Sequence, residues 1–241
     1  MQNWPQLFLL HFAGGHAYSY DFLERKIRNV AVNALELPGR GKRYREDFLI
    51  SREKAVEDYV AQIQKKRNGQ PYIIYGHSMG AILGLNVAKR LEDAGDPPAH
   101  LIVSGNAGPG VKELSEGRKR KVFLMDDNEF KNELRELGGT PVEILENAEL
   151  YNFFSPILRA DFRILEKEGA GLEKGPSIKT PIYALMGSEE RTSSQIENWR
   201  NFTSADFQFQ ILSGGHFFIY DHPTRLAGII QNCFEKRQCP M

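Results

Sequence analysis

Residues 71–94 read PYIIYGHSMGAILGLNVAKRLEDA. An apolar, β-type run over 72–76 passes through a very short turn into a helical stretch over 79–94. A strand that feeds a helix at once cannot continue as a hairpin, so the next strand returns by a crossover and lies parallel to it. The rest of the chain repeats this alternation. Further strands are expected at 6–12, 30–37, 100–106, 181–187 and 207–212. Helices are expected at 19–27 with Ser19 as N-cap, at 51–67, at 194–202 and at 223–236 with Pro223 in the first turn. In the 51–67 helix, Ser51 is the N-cap and Ala55, Val56, Tyr59, Val60 and Ile63 form one apolar stripe. The pattern predicts an α/β fold with a mostly parallel sheet covered by helices on both faces.

Residues 112–170 interrupt the alternation. They contain no strand-like run, and 112–136 carries 14 charged side chains, which rules out a buried strand there. The segment 137–145, LGGTPVEIL, offers a Gly-Gly hinge and a helix start. A helical insertion between two sheet strands is expected, within a single domain spanning 1–241, a length that supports one core.

Lys and Arg number 31, as do Asp and Glu, so the net charge is zero and nothing global favours nucleic acid or an anionic membrane. The two cysteines, Cys233 and Cys239, make neither a metal site nor a disulfide framework, which fits a cytoplasmic chain. The N-terminal stretch lacks the basic leading region of a signal peptide, and no segment reaches the roughly 20 apolar residues of a membrane span. No metal or cofactor is expected, and the chain is expected to be a monomer.

The turn at 76–80, Gly-His-Ser-Met-Gly, is a nucleophile-elbow pattern. A strand-to-helix turn this tight holds the serine in a strained conformation with its hydroxyl exposed above the sheet. Side chains two residues before and after it would meet neighbouring backbone, hence the glycines. The serine also stands at a helix N-terminus, where developing negative charge is favoured. Five residues alone occur by chance, but the strand before and the helix after supply the context that gives the pattern weight.

Ser78 requires a base. Six histidines are present, and the chain order serine, acid, histidine of elbow hydrolases leaves His216 and His222. His216, in SGGHFF after the last strand, is preferred; His222 precedes Pro223 and suits a helix cap. The acid is sought in the loop after the 181–187 strand, where Glu189 and Glu190 stand; Glu190 is preferred, with Glu189 an alternative and a solvated loop tip the bland reading. The oxyanion hole should use the backbone N–H of Met79 and a second N–H from the loop FAGGHA after the first strand.

Taken together, HFAGGHAYSY, ELPGRGKRYRE (36–46), GHSMGA, LGGTP, SPILRADF (155–162) and GGHFFI (214–219) resemble the type II thioesterases of nonribosomal peptide and polyketide biosynthesis, within the α/β-hydrolase superfamily. The resemblance runs nearly the whole length. It implies Ser78 as nucleophile, His216 as base, Glu190 as triad acid and Ala13 and Met79 as oxyanion donors. The family usually has aspartate where Glu190 stands. It implies further that the substrate is an acyl thioester on the 4′-phosphopantetheine arm of a carrier domain, from which stalled or misprimed groups are removed.

Several segments carry two readings each. RKRK (118–121) attracts an acidic carrier or a phosphate, or is a solvated helix face. LYNFFSPIL (150–158) lines an acyl chamber or packs the lid. Arg40, Arg43 and Arg45 contact phosphate or are merely solvated. The competing functions are a general carboxylesterase or fatty-acyl thioesterase, and an inactive binding module on the same fold.

Overall fold

The computed structural model describes residues 3–111, 121–166 and 175–235. The six expected strands form one sheet: β1 Gln6–Leu10, β2 Ala31–Leu35, β3 Tyr72–His77, β4 His100–Ser104, β5 Ile182–Gly187 and β6 Phe207–Leu212. Their order is β2-β1-β3-β4-β5-β6, and every pairing is parallel. The central strands β1 and β3 are buried along their full length, as unbroken apolar runs between two helical layers require.

Strand periodicity sorts the core. Phe8 and Leu10 of β1 face one side, with α2 Arg52–Lys66 and α3 Met79–Asp93; Leu7 and Leu9 face the other, with α1 Asp21–Glu24 and α7 Pro223–Glu235. The α2 stripe behaves as its spacing predicts: Ala55, Val56, Tyr59 and Ile63 are buried, Val60 half-buried. Pro223 opens α7, where a missing N–H costs nothing. Cys233 lies buried on α7, while Cys239 falls outside the described residues.

A third apolar cluster belongs to helices between β4 and β5: α4 Asp127–Leu137, α5 Val142–Glu146 and α6 Ala148–Glu166. Phe130, Leu134, Leu145, Tyr151, Leu158 and Phe162 pack together, with Ala13 of the first-strand loop against them. Among the described residues of this segment there is no strand. Asp126 caps α4 by accepting from the Asn128 and Glu129 N–H groups, and Gly138 ends it. Of the basic run at 118–121, only Lys121 lies within the described residues, and its Nζ donates to the Glu166 carbonyl.

Two elements differ from expectation. The helix sought at 19–27 begins as a 3-10 turn, Ala17–Tyr20, and continues only as the four-residue α1. Ser19 is not its N-cap; its hydroxyl accepts from the His16 N–H. The buried Tyr20 hydroxyl donates to the Leu10 carbonyl at 2.8 Å, which pulls this segment against β1. The helix sought at 194–202 is 3-10 throughout, Ser193–Phe202. Its buried residues Ile196, Trp199 and Phe202 recur every third position, the repeat of a three-residue turn and not of an α-helix. Among the described residues, no helix is long and apolar enough to cross a membrane.

Candidate active site

In a sheet of parallel strands, all loops leaving the C-terminal strand ends lie at one edge, and there the candidate residues gather. Ser78 links β3 to α3 with φ 54° and ψ −112°, in the left-handed region at a non-glycine residue. Such a conformation costs about 1–3 kcal/mol. Its N–H donates to the Ser104 carbonyl at 2.7 Å, which ties the turn to β4. The flanking glycines are sterically required. A Cβ on Gly76 would lie 2.0 Å from the Gly80 carbonyl oxygen, and one on Gly80 would lie 2.2 Å from that of Leu10. Met79 is the first residue of α3, so its N–H has no acceptor within the helix.

The loops after β5 and β6 bring an acid to a base. Glu190 Oε2 lies 2.8 Å from His216 Nδ1, and Glu190 Oε1 accepts the Gly187 N–H at 2.7 Å. The carboxylate is thus held at both oxygens, 8% exposed, beside an imidazole 16% exposed. Glu189, the alternative acid, is exposed and makes no ion pair with His216. His222 is turned toward Ser213, with Nε2 2.8 Å from that residue's carbonyl, and does not join the group. The His77 ring, next to Ser78 in the chain, lies 5.0 Å from the His216 ring, so the elbow and the histidine loop meet.

The first-strand loop completes the edge. Gly14 N–H donates to Asp161 Oδ2 at 2.8 Å and Gly15 N–H to the Phe12 carbonyl at 2.9 Å; among the described residues, none accepts from the Ala13 N–H. No group of three or more His, Cys, Asp or Glu is placed to hold a metal among the described residues.

The sequence matches the Thioesterase domain over residues 5–234. The chain belongs to the thioesterase family. Among its relatives, the gramicidin S biosynthesis protein GrsT of Aneurinibacillus migulanus is 33% identical over 221 residues, covering 90% of this chain and 83% of that protein. The linear gramicidin dehydrogenase LgrE of Brevibacillus parabrevis is 31% identical over 234 residues, covering 95% and 87%. The solved structure of the type II thioesterase BorB from the borrelidin biosynthetic cluster superposes with a TM-score of 0.82 at 30% identity, covering 95% of this chain and 92% of that one. The dehydrogenase name has no counterpart in the first-strand turn of this thioesterase, which reads FAGGHA and not the Gly-x-Gly-x-x-Gly of a dinucleotide cradle. The fold is that of the α/β-hydrolases, and the family makes the chain a hydrolase.

Sequence reasoning missed a buried junction in this thioesterase. Arg40, read as a phosphate contact or a solvated side chain, is neither. It is buried and forms a two-pronged pair with Asp161 of α6, at 2.6 and 2.7 Å. The same carboxylate holds the Gly14 N–H, so one acid joins α6 of the helical insertion, the first-strand loop and the loop after β2. Leu158, one turn earlier on α6, reaches over Gly14. In LYNFFSPIL, Tyr151, Ile157 and Leu158 are buried, whereas Phe153 is 66% exposed, so the segment mainly packs the helical insertion. Contacts 121 and 147 residues apart leave no spacing signal in a sequence.

Two histidines support the site from below. His77 is buried with Nδ1 2.8 Å from Ser104 Oγ, which also lies 2.8 Å from the Tyr75 hydroxyl. Burial, aided by nearby His216, pushes its pKa well below the ordinary value. His11 has Nδ1 2.8 Å from the Phe12 carbonyl, and its Nε2 accepts the Leu37 N–H at 3.3 Å. Burial and then Arg40 push its pKa from 6.5 down to about 3.

Both folded pKa values are depressed, so between about pH 3 and 6.5 the unfolded chain takes up a proton at His11 that the folded chain does not. That stability is complete above pH 6.5 and is lost as pH falls through the window. The melting temperature should fall on acidification from pH 7 to about pH 4, and less so in His11→Asn. Equal pH dependence in wild type and variant, read by thermal melts, removes His11 from the account.

Proposed function

We propose that this chain is a type II thioesterase of nonribosomal peptide or polyketide synthesis. It hydrolyses acyl thioesters on the 4′-phosphopantetheine arms of carrier domains, removing stalled or misprimed groups in the cytoplasm. The chemistry is supported by the meeting of the strained Ser78 elbow with the Glu190–His216 pair at one edge of the sheet, and the substrate class by the likeness to GrsT and BorB.

Glu190 accepts the His216 Nδ1–H, which leaves Nε2 as the basic nitrogen. Ser78 Oγ attacks the thioester carbonyl and its proton passes to Nε2. The oxyanion is held by the Met79 and Ala13 N–H groups. On collapse, the C–S bond breaks and the His216 proton goes to the departing pantetheine sulfur, giving the free thiol. Water then attacks the acyl-serine, with His216 taking its proton and returning it to Ser78 Oγ as the carboxylic acid leaves. Where the family usually has aspartate, Glu190 is held a second time, through Oε1 at the Gly187 N–H.

Glu190→Gln should lower kcat on the order of 10²- to 10⁴-fold, because the amide neither fixes the imidazole tautomer nor stabilises its cation. Glu189→Gln, at an exposed side chain, should stay within about twofold. Equal losses in the two variants would remove Glu190 from the triad. Substrate class is tested by comparing an acetyl group on a holo carrier with the same group on a free ester. Preference for the free ester would favour a general carboxylesterase, and preference for long acyl chains irrespective of carrier a fatty-acyl thioesterase.

A further inference from the structure

The segment ELPGRGKRYRE places four cations after β2, and the structure divides them into two pairs. Arg40 is consumed by Asp161. Arg43 is consumed by Glu46, Asp58 and the Glu36 carbonyl. Lys42 and Arg45 are exposed and form no ion pair among the described residues. The Arg45 guanidinium lies 5.3 Å from the Tyr44 ring centroid, and its Nε donates to the Tyr44 hydroxyl at 2.8 Å, while its terminal N–H groups make no hydrogen bond or ion pair among the described residues.

These two cations stand at the edge that holds Ser78 and His216, because the loop after β2 leaves the same ends of the parallel strands. Their position is fixed relative to the first-strand loop. Glu36 accepts the Ala17 N–H with Oε1 and the Lys42 N–H with Oε2. Within the described loops that follow strands at this edge, the other Lys and Arg side chains are engaged: Lys121 donates to the Glu166 carbonyl and Arg191 faces Glu136 at 3.6 Å.

We propose that Lys42 and Arg45 receive the phosphate of the substrate's phosphopantetheine arm. This rests on the thioesterase reading above and assigns the far end of the same substrate. The arm carries its thioester at one end and its phosphodiester at the other. Recognition of the phosphate therefore belongs at the rim of the site, where a guanidinium fork and an ammonium make charge-assisted hydrogen bonds without the desolvation cost of a buried ion pair. The placement also accounts for two exposed cations that the fold does not use.

The test is the double variant Lys42→Ala/Arg45→Ala, assayed on one acetyl group carried by a holo carrier protein, by free phosphopantetheine and by phosphate-free pantetheine. Two exposed contacts together predict a KM increase of about tenfold for the two phosphate-bearing substrates, with kcat unchanged. KM for acetyl-pantetheine should stay within about twofold. Raising salt to about 0.5 M should raise the wild-type KM for acetyl-phosphopantetheine and leave the variant's nearly unchanged. An unchanged KM on both phosphate-bearing substrates overturns the proposal. So does an increase confined to the carrier, which would place the cations against the carrier's protein surface. If the wild type shows no Ser78-dependent hydrolysis of any of the three, the thioesterase reading itself fails instead.

Discussion

Ser78→Ala should reduce acyl-thioester hydrolysis on the order of 10⁴- to 10⁶-fold, because in the proposed mechanism base, acid and oxyanion donors act through the one nucleophile. The fold should survive, since Ser78 is held by its backbone: its N–H bonds the Ser104 carbonyl and its φ of 54° is imposed by the strand and helix on either side. That strain gives a second readout. Ser78→Gly should be equally inactive yet melt above Ser78→Ala, because glycine adopts positive φ without the roughly 1–3 kcal/mol cost, a gain only partly offset by the entropy glycine adds to the unfolded chain. Substantial turnover by either variant sinks the mechanism. An order of stability with alanine above glycine would show that the elbow is not strained as its dihedral angles indicate.

Asp161→Ala should be the most destabilising single change at the site. It leaves Arg40 charged and buried with no carboxylate, only the Gly15 carbonyl at 3.4 Å, and strips the Gly14 N–H of its acceptor. Removing one member of a buried pair costs about 3–5 kcal/mol, which in a chain of this size lowers the melting temperature by roughly 6–20 °C. The loss is the cost of an orphaned charge, not the net worth of the pair. The double variant Arg40→Met/Asp161→Leu should therefore recover much of it. Activity per folded molecule should survive Asp161→Ala far better than Ser78→Ala, since the nucleophile and the Glu190–His216 pair do not touch Asp161. A double variant no more stable than Asp161→Ala would contradict this account.

The elements that local pattern encodes were readable. Strands β1 and β3 announce themselves as unbroken apolar runs, and α2 by a stripe whose members are buried. Ser78 and His216 could be picked out as candidates for a different reason: an elbow needs glycine at two fixed offsets, and a histidine after the last strand needs a pliable loop. Glu190 was preferred over Glu189 from the sequence, and it is Glu190 that lies against His216; spacing alone separates the two only weakly, because adjacent residues in a loop differ mainly in which way the backbone points them. The 3-10 character of 193–202 was hidden for a related reason. Its three-residue repeat of buried Ile196, Trp199 and Phe202 is close enough to 3.6 to pass for an α-helix in the sequence.

The sequence by itself determined the parallel α/β frame, the helical insertion and the serine and histidine of the candidate triad. These depend on periodicity and on glycines at set spacings, and both are local. Tertiary structure alone decided that Arg40 is spent on Asp161 while Lys42 and Arg45 face solvent. Four cations within six residues look alike in a sequence. What separates them is the dielectric around each and the carboxylate across from it, and both are supplied by segments far away in the chain.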